Sequence, residues 1–226
     1  MYLHYDKTLY LRSWLHPVEQ SAKNAGRGHP LKPDELLYRK VKSNILATAM
    51  DNAKVDGLIL EFGVGRGESI RVLGKLTDQY IDGFDSWQGP PQFRNILPTV
   101  PDNVTLHSGW FKDSIPKFKK DHNQPIRLLH VDCSLYSTPS SFGRGGSNWN
   151  HSTNTILTEL GNQIVPGTII IFDEFVGISP DFLEHEYKAF QEAVDHYRWK
   201  YEYIPVGFLN RDRTLASQQA VVRINE

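Results

Sequence analysis

Short apolar runs alternate with longer amphipathic stretches along most of the chain. Leu36, Leu37, Val41, Ile45, Leu46 and Met50 recur at helical spacing behind Pro33-Asp34-Glu35. A proline and acids suit a first helical turn, so this pattern predicts a helix ending near Asn52. Leu58-Ile59-Leu60-Glu61-Phe62 is almost continuously apolar, as a parallel strand buried on both faces should be. Gly63 to Gly67 form a turn, and Ser69 to Leu76 read as a helix with Ile70, Leu73 and Leu76 on its inner side. Further strands are predicted at Tyr80–Phe84, Val104–His107, Ile126–Val131, Thr168–Phe172, Tyr201–Val206 and Gln219–Ile224. The clearest later helix spans Glu184 to Lys200, with Tyr187, Phe190, Val194 and Tyr197 on one face. Alternating strands and helices predict an α/β fold built on a doubly wound, seven-stranded, mostly parallel sheet with an N-terminal helical extension. The last two strands are candidates for an antiparallel hairpin at one edge.

Two segments break the rhythm. Residues 1–34 form no clear domain and read as an N-terminal arm or lid, leaving residues 35–226 as the main domain. Within it, residues 137–151 (STPSSFGRGGSNWNH) are rich in Ser, Gly and Asn. A loop this long inside a compact domain suggests a lid over a site.

Composition narrows the class. A length of 226 residues fits one domain with extensions. The 25 basic and 26 acidic residues show no long run of one sign, which argues against a dedicated nucleic-acid binder. The single cysteine, Cys133, allows no intramolecular disulfide and suits a reducing cytoplasm. No apolar stretch approaches the roughly 18 residues of a membrane span, and the N-terminus lacks a signal-peptide pattern. The expectation is a cytoplasmic protein with neither a membrane nor a nucleic-acid partner.

The turn after the first strand is the natural ligand site, because open α/β sheets bind ligands beyond the carboxyl ends of their strands. Its glycines permit positive φ and close backbone approach, and the next helix presents free N–H groups. The glycines are spaced G-x-G-x-G, and Glu68 stands where a dinucleotide fingerprint has its third glycine. Glu61 precedes the first glycine by two residues, and Asp85 follows Gly67 by 18 (85 − 67). A carboxylate at Asp85 can accept both hydroxyls of a ribose. Two later strands also finish in acids: Asp132 after Val131, and Asp173-Glu174 after Phe172. In a parallel sheet these three carboxylates converge on the ligand face, as hard oxygen ligands for Mg²⁺ or another hard divalent cation.

Taken in order, these motifs resemble a known family. The E-x-G-x-G-x-G turn is similar to the first motif of class I S-adenosylmethionine-dependent methyltransferases. Gly83-Phe84-Asp85-Ser86-Trp87, Gly109-Trp110-Phe111-Lys112-Asp113-Ser114-Ile115-Pro116, Leu129 to Tyr136, Ile171 to Phe175 and Glu186 to Phe190 follow. The set resembles the macrocin O-methyltransferase family over about residues 35–224. That resemblance implies a Rossmann-like methyltransferase fold, S-adenosylmethionine and Mg²⁺ as cofactors, and a hydroxyl of a sugar, glycoside or other small natural product as acceptor. It implies Asp132, Asp173 and Glu174 as metal ligands. Glu61 would face the cationic amino-acid end of the cofactor, Ser69 its carboxylate, Asp85 its ribose, and Gly109 and Trp110 its adenine. Gly63, Val64 and Gly65 in the turn, Ser86 and Trp87 beside Asp85, and Asp132 complete the implied contacts. A homo-oligomer, dimer or larger, is also implied.

One departure bears on catalysis. The family pattern is D-x-D-L-Y, with its second acid a proposed base, whereas this chain reads Asp132-Cys133-Ser134-Leu135-Tyr136. A serine hydroxyl is no base at neutral pH. The candidate catalytic residues are therefore Asp132, Ser134 and His151, with His130 a further candidate for the missing base. Three readings stand side by side: a metal-dependent O-methyltransferase, a methyltransferase-like binding protein with lost or altered catalysis, and a nicotinamide-dependent oxidoreductase.

Overall fold

The structure, a computed structural model, describes residues 35–88, 96–133, 151–176, 186–204 and 218–225, with the backbone alone for residues 35–41, 151, 174, 176 and 218. Residues 1–34, Ser134 and the expected lid up to residue 150 lie outside the described residues.

Helix α1 (Glu35–Asn52) leads into strand β1 (Leu58–Phe62), helix α2 (Glu68–Leu76) and strand β2 (Ile81–Asp85). Strand β3 (Val104–Ser108), helix α3 (Phe111–Phe118) and strand β4 (Ile126–Val131) follow. Helix α4 (His151–Leu160), strand β5 (Ile169–Val176), helix α5 (Glu186–Tyr197) and strands β6 (Tyr201–Tyr203) and β7 (Gln218–Ile224) complete the chain. The strands form one seven-stranded sheet in the order β3-β2-β1-β4-β5-β7-β6. Strands β1 to β5 pair in parallel, while β7 runs antiparallel to both β5 and β6. The doubly wound, mostly parallel sheet read from the sequence is therefore present, with its antiparallel pair at one edge.

The period-2 alternation of strand side chains sorts the core into two layers. Leu60, Phe62, Leu129, Val131, Ile170 and Phe172 face α3, α4 and α5, which contribute Ile115, Ile156 and Phe190. Ile59, Leu128, Ile169 and Ile171 face the other way, against Ile45, Leu46 and Ala49 of α1 and Ile70 and Leu73 of α2. Each fully buried Leu, Ile or Phe contributes about 1.5–3 kcal/mol, so both layers anchor the sheet.

Two boundaries differ from the sequence pattern. Strand β5 pairs with β4 on one side and β7 on the other over Ile169–Phe172, and it runs on to Val176 because the antiparallel pairing with β7 resumes there, at Gln218, after the β4 pairing has ended. Helix α5 stops at Tyr197, where Arg198 turns into the left-handed region with φ 60° and closes the helix before Lys200.

Candidate active site

The site lies at the carboxyl ends of the parallel strands and has two parts. The first is the glycine turn between β1 and α2. Its ladder continues past the strands: Gly63 N–H donates to Phe84 O, and Asp132 N–H to Phe62 O, each at 2.8 Å. Gly63 holds φ +94°, and a Cβ there would lie 1.9 Å from the Asp132 carbonyl oxygen, so only glycine fits between β1 and β4. Gly65 differs: at φ +52° its missing Cβ points into open space, leaving the backbone bare on the side where a ligand would lie.

Asp85, at the end of β2, fixes this turn. One carboxylate oxygen accepts from Gly65 N–H and the other from Trp87 N–H, both at 2.8 Å. Each oxygen keeps a lone pair for a further donor. Trp87 is buried beneath the turn and its indole N–H donates to Gly65 O at 3.0 Å. Its φ of 46° is strained for a tryptophan, and these two hydrogen bonds hold it there.

The second part is a chain of charged groups on the α1 face of the sheet. Glu61 pairs in register with His130, and His130 with Ile171. Pleating puts Glu61 and His130 on one face, with Asp132 and Asp173 two residues further along their chains. Glu61 and His130 are fully buried. Ser69 Oγ donates to Glu61 Oε1 at 2.8 Å, and Glu61 Oε2 lies 3.1 Å from His130 Nδ1. His130 Nε2 is 3.8 Å from Asp173 Oδ1 and has no hydrogen-bond partner among the described residues. Asp173 Oδ1 also accepts from Gln219. From α1, Lys42 Nζ reaches Asp132 Oδ2 at 2.6 Å and Asp173 Oδ2 at 3.2 Å.

Electrostatics follows from burial and these partners. Burial alone would lower the His130 pKa, but the adjacent Asp173 and Glu61 carboxylates raise it to about 10. His130 is thus an imidazolium here, which leaves it without the free lone pair that a base needs. Burial and the neighbouring Asp173 charge raise Asp132 to about 6, against the pull of Lys42 and His130. Burial would raise Asp173 too, yet the Lys42 ammonium and His130 hold it well below the usual carboxylate range.

The residues fit a divalent cation. Asp132 and Asp173 each offer a carboxylate oxygen, and these lie within 4.8 Å of one another and of a His130 ring nitrogen, so the two acids supply hard oxygen ligands beside a histidine that would have to lose a proton to join them. Glu174 follows Asp173 in β5, its side chain outside the description.

The structure gathers most of the sequence-derived candidates at this end of the sheet. Val64 is buried, and Ser86 Oγ accepts from Gln88 N–H. Gly109 N–H donates to Asp85 O at 2.9 Å. Trp110, at the start of α3, is 47% exposed, so its ring stands free for a stacking partner. His151 opens α4, its side chain outside the description. Ser69 and Glu61 bond to each other. Lys42 was missed by sequence reasoning. The signal was available: it shares a helical stripe with Ile45, Leu46, Ala49 and Ala53, all buried, and a lysine on such a stripe needs an anionic partner.

Comparisons with known proteins bear on the family and the fold. Residues 60–175 match the family model described as a methyltransferase domain. No curated protein sequence matches the chain significantly. Among solved structures, the apo form of CalS11, a TDP-rhamnose 3'-O-methyltransferase of calicheamicin biosynthesis, is 17% identical with a TM-score of 0.56, covering 98% of this chain and 97% of that one. The O-methyltransferase NovP is also 17% identical, with a TM-score of 0.55 and coverage of 98% and 100%. An O-methyltransferase from Bacillus cereus in complex with SAH is 12% identical, with a TM-score of 0.55 and coverage of 96% of each chain. At these identities the likeness is one of fold. The family match, over more than half of the chain, goes further: this protein belongs to the methyltransferase-domain family.

Proposed function

We propose that the protein is an S-adenosylmethionine-dependent O-methyltransferase that uses a divalent cation to methylate a hydroxyl of a sugar, glycoside or other small natural product. The observation that carries this reading is the pairing of the Asp85-braced glycine turn with the Asp132–Asp173 carboxylates at the same sheet edge. The similar fold of CalS11, named as a TDP-rhamnose 3'-O-methyltransferase, supports the acceptor class.

S-adenosylmethionine would supply the methyl group, and a cation held by Asp132 and Asp173 would lower the pKa of the acceptor hydroxyl. The chain's own residues do the rest. Asp85 holds the turn in shape and keeps lone pairs open toward a ribose. The bare backbone at Gly65 lets a ligand approach closely. Trp110 offers an exposed aromatic face, and Asp132 and Asp173 fix the site where an acceptor oxygen is oriented. The acceptor oxygen would attack the methyl carbon in line as the C–S bond breaks, the sulfur leaving as a neutral thioether and the acidified hydroxyl giving its proton to water.

Calorimetry should show S-adenosylhomocysteine binding, and an acceptor panel should yield an O-methylated product whose formation stops in chelator and in Asp132→Asn. Full turnover in chelator would remove the metal from the reading. Ser134, standing where the family pattern has an acid, favours a second reading as a binding protein. Cofactor binding without product across the panel would select it.

A further inference from the structure

The Lys42 ammonium occupies a position that a metal would need. It lies 2.6 and 3.2 Å from the Oδ2 atoms of Asp132 and Asp173, the two carboxylates that would hold a cation. Mg²⁺ takes oxygen ligands at roughly 2.0–2.1 Å. An ion shared by those two oxygens would fall inside the ammonium's own contact distance. Two cations cannot occupy that space together.

We infer that Lys42 is a tethered internal cation that competes with the divalent ion for Asp132 and Asp173, so that metal loading requires the lysine to swing out. This rests on the reading of Asp132 and Asp173 as metal ligands. In the metal-free protein Lys42 keeps the two carboxylates from repelling each other. It also sets a threshold, because the ion must displace charge-assisted hydrogen bonds before it binds. Since Lys42 belongs to α1, metal loading is coupled to the front of that helix.

Two measurements test this on the full chain. The first is Mn²⁺ titration followed by the electron paramagnetic resonance signal of the free ion. Lys42→Met should bind Mn²⁺ roughly ten- to a hundredfold more tightly than the wild type, since it loses the competitor. Lys42→Gln serves if the methionine variant does not fold. Equal or weaker binding by the variant overturns the competition and leaves the metal reading intact. Absence of binding to both proteins overturns the competition together with that reading.

The second measurement needs no variant. Lys42 is only 16% exposed in its ion pairs. Saturating Mg²⁺ should therefore increase acetylation of Lys42 severalfold, read by mass spectrometry, while the other lysines stay unchanged. Mg²⁺ binding with Lys42 still protected overturns the proposal.

Discussion

The two halves of the site are built by different means. The glycine turn is held within one short stretch: Gly63, Gly65, Asp85 and Trp87 span 25 positions (87 − 63 + 1), and each of their hydrogen bonds has a main-chain atom at one end or both. The charged chain is held by side chains from distant elements, with Lys42 lying 90 residues from Asp132 and 131 from Asp173. Added volume is what so tightly packed a turn tolerates least. A side-chain-built site has a different weakness, because each buried charge depends on its neighbours.

The largest effect should come from volume in the turn. Gly63→Ala puts a Cβ 1.9 Å from the Asp132 carbonyl oxygen at a positive φ. Overpacking and backbone strain together should cost on the order of 4 kcal/mol, seen in urea unfolding, and S-adenosylhomocysteine binding should be lost. A loss under 1 kcal/mol would show that β1 and β4 can part, and the turn would not be backbone-fixed after all.

Charge in the other half comes next. Glu61→Gln keeps the volume but removes the carboxylate that faces the buried His130 cation. Breaking a buried pair from one side should cost about 3 kcal/mol. The same variant should leave Gly65 and its Asp85 contact undisturbed, which amide chemical shifts in the turn can report.

Legibility in the sequence follows the same division. The strand, glycine turn and helix were readable because each is a local pattern of apolar runs and turn residues. The acids at the ends of β2, β4 and β5 could be placed at one sheet edge because parallel topology puts strand ends together. Partnership was not readable. Nothing in Glu61-Phe62-Gly63 says that the acid is buried against His130, since that depends on the register of β1 with β4. Lys42 lay in a helix read for its apolar face, and its role appears only once α1 packs over β5. The extension of β5 past Phe172 arose from pairing with β7, a contact between residues far apart in sequence.

Acidity tests the charged chain in another way. The His130 pKa is raised from 6.5 to about 10 in the folded protein. Its contribution to stability is therefore full below pH 6.5 and is lost as the pH rises through 10. In chelator-treated protein, stability should fall by on the order of 2 kcal/mol between roughly pH 7 and pH 10 beyond the fall seen in His130→Gln. Parallel pH profiles for the two proteins would mean that His130 is neutral when folded, and the alternation of charges would fail.

The smallest effect probes the indole, the second side chain after Asp85 that serves the turn. Trp87→Phe keeps a buried ring but deletes the indole N–H that donates to Gly65 O. One neutral hydrogen bond is worth about 1 kcal/mol, and its loss also leaves the Gly65 carbonyl without that donor. The Asp85 carboxylate still holds Gly65 N–H and the residue 87 N–H in the variant, because both are main-chain donors. Stability should therefore fall by only about 1 kcal/mol, with cofactor affinity reduced a few-fold rather than lost. A loss as large as that of Gly63→Ala would mean that the indole, and not the backbone, sets the shape of the turn. The two halves of the site would then share one design, each resting on a buried side chain from outside its own strand.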